Sequence, residues 1–275
     1  MFKNYDKSML DEEFINMVFC AYRLRKQKSS LYSSDDYIPQ NVIKMYFDYE
    51  NKSDFKKIIS NFKEKYIFNE SIIDNTTTEE EKSGLGEVYD YISSFDYDTQ
   101  KFDIFIQSLL IHQKLYSKCP GKGFGGSLRE GQALLKGISC DVMPAEEAKK
   151  YFNSFINNSN FIFEPLNNND IFSYIEGCVK LNVSLIKAQP FADGNKRTFR
   201  ALLNLLLKKI GLPPIYIEPE EVKEYKRALF VAIVENDYDP IIKFYYYKIC
   251  DSIIELDISE KLELTNQKVL KLENK

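Results

Sequence analysis

Residues 187–200 read KAQPFADGNKRTFR, and the way this stretch joins its neighbours decides the fold. Before it, Ile171 to Ile186 is strongly apolar with helical spacing. After it, Asn195 to Ile210 places Phe199, Leu202, Leu203, Leu206 and Ile210 on one face and stops at Gly211-Leu212-Pro213-Pro214. The spacing therefore predicts two helices joined by a tight turn at Asp193-Gly194-Asn195. Successive backbone amides in such a turn make a concave anion site, and the second helix adds the positive end of its dipole. Arg197 and Arg200, three residues apart, project on nearly the same face of that helix. Two guanidinium forks beside such a turn suit a di- or triphosphate, and Asp193 is placed to hold a Mg²⁺ that bridges phosphate oxygens. Each residue also has an ordinary use: Asp193 as a helix cap, Asn195 as a turn former, the arginines as solvated surface. It is their combination within eight residues that favours a phosphate site.

The rest of the chain reads as helices. Leu10, Phe14, Met17, Val18 and Ala21 share one face of a helix over residues 1–28. A second amphipathic stretch covers Asp54 to Tyr66, and Thr76 to Thr78 ahead of Glu79 to Glu81 read as a capped helix start. Thr99 to Tyr116, Ala145 to Ile156, Pro219 to Val234 and Pro240 to Leu256 carry further helical patterns, and Asn157 to Asn169 reads as a polar loop. Alternation around Glu130-Gly131 suggests one short β-hairpin over residues 127–137. The expected fold is all-α with that hairpin. An N-terminal helical extension (1–65), a main domain (66–250) and a charged C-terminal helical tail (251–275) are the expected divisions.

Lys and Arg number 37 against 41 Asp and Glu, a net charge of −4, which argues against a general nucleic-acid or anionic-membrane binder. Five scattered cysteines without a C-x-x-C pair point to reduced thiols, and the acidic N-terminus lacks an apolar signal core. A cytoplasmic protein without a membrane span is the expectation. Gly121, Gly123 and Gly126 fit the G-x-G-x-x-G pattern of dinucleotide loops, but a helix precedes them and no βαβ unit surrounds them, so a flexible connection is the better reading.

QPFADGNKRTFR (189–200) resembles the HPFxxGN(G/K)RxxR motif of Fic (Fido) proteins at every fixed position except the first. FIQSLLIHQKLYSKCPGKG resembles that family's helix before its PGxFR turn, with Gly125 or Gly126 where an arginine is common. EEVKEYKRALFVAIVENDYDPIIKF resembles its closing helices, so the likeness covers residues 65–250. The resemblance implies AMP transfer from Mg-ATP to a hydroxyl side chain of a target protein. It implies Mg²⁺ on Asp193, an anion hole of Gly194, Asn195 and Lys196, Arg197 at the β-phosphate and Arg200 at the γ-phosphate. It further implies that the 127–137 hairpin is a flap on which an unidentified target docks by strand addition, that Phe191 anchors the core, and that such domains often pair as homodimers. Family members often carry an inhibitory helix whose glutamate pairs with the second motif arginine. In the nearest segment here (69–80), Asp74 stands in the glutamate's place and Glu70 where Ser or Thr is expected.

Gln189 occupies the place of the family's general base. An imidazole takes a proton near neutrality, whereas an amide accepts a hydrogen bond but keeps no proton. Loss of such a base costs about 10² to 10⁴ in rate, or about 3 to 5 kcal/mol. His112, the only histidine, reads as a packed helical residue, while Glu130, Glu218, Glu220 and Asp193 are alternative bases among which the sequence does not choose. Three functions follow: a nucleotidyltransferase of reduced activity, a pseudoenzyme that binds nucleotide and regulates a partner, and a Doc-like phosphotransferase that shares the Asn-Lys-Arg variant.

Overall fold

The structure, a computed structural model, describes residues 40, 43, 46–47, 55–74, 78–119, 121, 123–135, 138, 140–253 and 255. The chain divides into two compact units, residues 54–245 and a second of 1–53 with 246–275; everything below concerns the first. The helix expected over 1–28 and the tail beyond 255 lie outside the described residues.

Among the described residues, this unit holds the α-helices α1 (Phe55–Ile73), α2 (Glu79–Ser94), α3 (Ile104–Leu115), α4 (Ala145–Asn153), a single turn α5 (Glu164–Asn167), α6 (Ile171–Ala188), α7 (Asn195–Lys209) and α8 (Val222–Phe230). A further helix begins at residue 239. The caps explain the boundaries. The Thr78 hydroxyl accepts from Glu81 N and opens α2 with three acidic residues in its first turn, as the sequence predicts. Asp103 accepts from Ile106 N, so α3 starts at Ile104 rather than at Thr99, where apolar spacing alone would begin it.

Helix α7 is the centre. Apart from Lys196, every residue from Asn195 to Leu207 is buried, which places the helix inside the unit rather than on its surface. It packs against α6, α3 and α2. Antiparallel register with α6 is fixed by Asn182 Nδ2 donating to Phe199 O (2.6 Å) and Tyr174 Oη donating to Leu206 O (2.7 Å). At its far end Lys208 Nζ donates to Ile92 O, Ser93 O and Phe95 O at 2.6–2.9 Å, capping the carbonyl end of α2. The motif arginines thus start from inside the protein, and the solvated-surface alternative does not hold.

Two expectations change. The helix expected over 54–66 continues to Ile73, because Asn69, Glu70 and Ser71, which break the apolar pattern, are themselves buried. The hairpin expected over 127–137 shows no strand among its described residues; instead of pairing across a turn, Arg129 N donates to Pro190 O (2.9 Å). No helix among the described residues is long and apolar enough to cross a membrane.

Helices α2 and α3 meet closely at Gly84, where an added Cβ would lie 2.0 Å from Leu115 O. Alanine in a helix interior ordinarily gains about 0.5–1 kcal/mol over glycine, but here two backbones must separate, at about 1–3 kcal/mol or more. Gly84→Ala should therefore lower the urea midpoint; an unchanged or raised midpoint would show that the helices yield freely.

Candidate nucleotide-binding site

The 189–195 turn is bracketed by two left-handed residues. Gln189 (φ 49°) ends α6, and Gly194 (φ 71°) precedes α7 and brings no side-chain acceptor to its first turn. Glycine is favoured at 194 on two counts: its φ suits a residue without Cβ, and a Cβ there would stand 2.7 Å from Tyr116 Oη and 3.0 Å from Leu115 Cδ2. The amides that open α7 thus face the turn at the positive end of the helix, the arrangement suited to an anion.

The turn is held by side chains. Asn195 Oδ1 accepts from Phe191 N (2.9 Å), and its Nδ2 donates to Phe191 O (2.8 Å) and to Gln189 Oε1 (3.1 Å). Asn195 therefore contributes its backbone, not its amide group, to any anion hole. Gln189 is buried; its Nε2 donates to Ile186 O (2.6 Å), so both ends of its side chain are engaged within the turn. Phe191 is fully buried against Phe199 and stacks on His112 with ring centroids 3.9 Å apart.

His112 serves as a pin. Gly126 N donates to its Nδ1 (2.9 Å), which makes Nδ1 the unprotonated nitrogen and assigns the proton to Nε2, which then donates to Asp193 O (3.0 Å). Burial lowers its pKa to about 4. A neutral imidazole with both nitrogens occupied is no general base. Glu218 is likewise committed, its carboxylate capping the 219–221 turn, while Glu130 and Glu220 are exposed.

The three cations expected to meet phosphate all face carboxylates. Arg200, buried, donates from Nε to Glu70 at 2.9 and 3.1 Å, and from Nη2 to Glu70 Oε2 (2.6 Å) and Asp74 Oδ2 (2.8 Å). Lys196 Nζ lies 3.4 Å from Asp74 Oδ1. Arg197 lies 3.5 Å from Glu81 and 3.8 Å from Asp193, and donates to Tyr116 Oη at 2.9 Å. Burial raises the Glu70 carboxyl above its usual value against the pull of Arg200. For Asp74 burial acts the same way, but Arg200 and Lys196 outweigh it and hold the group at about 2.

Asp193 keeps a half-exposed side chain, with Oδ1 accepting from Gly194 N (2.7 Å). Among the described residues no group of three or more His, Cys, Asp or Glu could hold a metal. Asp193 would fit Mg²⁺ as that ion is often held, by one or two carboxylates with phosphates and waters supplying its other ligands.

Sequence reasoning missed Glu70, Glu81, Tyr116 and Arg129. In the sequence Glu70 stands where Ser or Thr is expected, Glu81 is one of the acids of a capped helix start, and the resemblance expects an arginine at 125 or 126. Arg129 is the buried one, and its Nε donates to Gln189 O.

Residues 103–207 match the model of the Fic/DOC family. The chain is similar to Protein adenylyltransferase Fic of Aedes aegypti, 27% identical over 163 residues that make 58% of this chain and 30% of that protein. It is also similar to Protein adenylyltransferase fic-1 of Caenorhabditis elegans, 37% identical over 70 residues, 26% of this chain and 14% of that protein. The chain thus spans less than a third of the length of these relatives. Fic-1 from C. elegans superimposes with a TM-score of 0.62 at 19% identity, covering 87% of this chain and 76% of that one. A Fic domain containing signaling protein from Bacteroides thetaiotaomicron gives 0.59 at 17% identity, covering 82% and 98%. The structures establish a shared fold.

The His112 pin makes stability depend on pH. Its folded value lies below the ordinary 6.5, so the unfolded chain binds a proton that the folded chain refuses. The stabilisation is complete above that value and is lost as pH falls towards 4, a loss of at most about 3 kcal/mol. In urea titrations from pH 7 to 4, the stability advantage over His112→Gln should shrink by that order; a constant difference would contradict the assignment.

Proposed function

From the Fic domain that this chain carries, we propose that it is a protein nucleotidyltransferase of reduced activity, moving AMP from Mg-ATP to a hydroxyl of a target protein. The observation that carries this reading is the anion-suited 193–195 turn at the start of α7, flanked by Lys196, Arg197 and Arg200. In the proposed reaction the hydroxyl oxygen bonds to the α-phosphorus, the bond to the β-phosphate bridging oxygen breaks, and pyrophosphate leaves. Gly194, Asn195 and Lys196 would hold the α- and β-phosphates, Arg197 the β-phosphate and Arg200 the γ-phosphate. Asp193 would hold Mg²⁺, which supplies charge neutralisation for the phosphates. The hydroxyl's proton passes to solvent water, since Gln189 cannot keep it, so positioning and electrostatics remain while base catalysis is lost.

The occupation of Gln189 at both ends of its amide favours a second reading, a pseudoenzyme that binds nucleotide and regulates a partner. One experiment separates the two. The chain and a Gln189→His variant are incubated with Mg²⁺, α- or γ-labelled ATP and a cell lysate. The transferase reading expects faint protein labelling from the α-label, stronger by about 10²-fold or more in Gln189→His. Label only in the variant supports the binding-protein reading, γ-label alone a Doc-like phosphotransfer, and no label with no Mg-ATP binding by calorimetry overturns nucleotide function altogether.

We also propose that the end of α1 is inhibitory. Glu70 and Asp74 occupy the guanidinium that a γ-phosphate would need, so triphosphate and the closed α1 end compete for Arg200. Glu70→Gln leaves a buried cation short of its main counter-charge, which should destabilise the free protein by about 3–5 kcal/mol. Saturating Mg-ATP should then raise the melting temperature of Glu70→Gln more than that of the parent; equal shifts in both would refute competition at Arg200.

A further inference from the structure

Tyr116 caps the end of α3, one turn after His112, and is buried. Its ring meets His112 edge-on, with centroids 5.1 Å apart, and Phe124 at 5.0 Å. The hydroxyl lies against residue 194, where only the missing Cβ leaves room for it. Arg197 Nη2 donates to that hydroxyl at 2.9 Å, and the guanidinium carbon stands 5.6 Å from the ring centroid.

The same nitrogen has a charged alternative. Asp193 Oδ2 lies 3.8 Å from Arg197 Nη2, four residues back. An acid four residues ahead of an arginine is the spacing that pairs directly on a helix, and a carboxylate binds a guanidinium more strongly than a neutral oxygen does. Here the neutral phenol holds the nitrogen and the carboxylate stands off. A phenol that accepts from an arginine still has its own proton to give. Burial raises the Tyr116 pKa, Arg197 pulls it down, and Asp193 raises it again by its charge and a hydrogen bond, so the phenol stays protonated and donates to that carboxylate. Packing alone asks only for a ring at 116. Phenylalanine would meet His112, Phe124 and the cation without pressing an oxygen on residue 194, so the hydroxyl serves something other than packing.

We propose that Tyr116 is a positioning residue that spaces Arg197 from Asp193: its hydroxyl accepts from one and donates to the other, so neither is consumed in a direct ion pair. The guanidinium stays available to a phosphate, and the carboxylate to the Mg²⁺ that accompanies it. The benefit to a nucleotide rests on the phosphate-binding reading above; the spacing itself does not. Without the hydroxyl the pair closes, and a diphosphate must break it before it binds.

The test uses Tyr116→Phe in the full chain, which keeps the ring and removes one oxygen. In a crystal structure of the ligand-free variant, Arg197 Nη2 should move from 3.8 Å to about 3 Å from Asp193 Oδ2. By calorimetry, affinity should fall about tenfold for Mg-ADP and for metal-free ADP alike. Asp193→Asn removes the charge that competes for Arg197. Adding Tyr116→Phe to it should therefore change the affinity for metal-free ADP by less than about twofold.

A pair that stays apart in the Tyr116→Phe crystal overturns the spacing role. So does an equal loss of ADP affinity with and without the Asp193 carboxylate, because a hydroxyl that merely supports the fold costs the same in both backgrounds. Global unfolding of Tyr116→Phe overturns it as well, since the oxygen would then hold the core. If neither the parent nor any variant binds ADP, the phosphate-binding reading fails, while closure of the ion pair in the crystal still supports the spacing.

Discussion

Three cations crowd the positive end of one buried helix. Lys196, Arg197 and Arg200 sit in the first two turns of α7, where the helix dipole opposes further positive charge and burial makes each uncompensated charge costly. The arrangement persists only with anions around it, and the fold supplies Glu70 and Asp74 from the end of α1, Glu81 from the first turn of α2 and Asp193 from the turn itself. The end of α1, the first turn of α2 and the 193 turn thus meet that electrostatic demand with carboxylates.

The second constraint is mechanical. A turn bracketed by Gln189 and Gly194 in left-handed conformation is not one the backbone favours, least of all at the glutamine. It is over-determined by Asn195 from within, by His112 from α3 and by Arg129 from the segment after the glycine-rich stretch. Gln189 is absorbed into this framework, with both ends of its amide engaged within the turn.

Local patterns gave much of this away. The α6–turn–α7 unit, the Thr78 cap and the stop after α7 follow from apolar spacing and cap chemistry that any short window contains. Other features depend on what lies opposite. The amphipathic stretch predicted over 54–66 stops short of Asn69, Glu70 and Ser71, whereas α1 runs through them and buries them where Arg200 and neighbouring backbone receive their side chains. Alternation around Glu130 suggested a hairpin, yet Arg129 bonds to the 189–190 turn instead of to a partner strand.

By itself, then, the sequence determined the helical class, the position of the phosphate-suited turn and the absence of a titratable base at 189, because each is written within a dozen contiguous residues. Tertiary structure alone decided which carboxylates face the motif cations, that His112 is a neutral pin, and that Arg129 rather than a nearer residue fastens the turn. Apart from Asp193, which precedes Arg197 by one helical turn, those partners stand 14 to 130 residues apart in the chain. Pairing at such separations is set by which buried charge or carbonyl needs satisfying once the helices pack, and no local pattern records it.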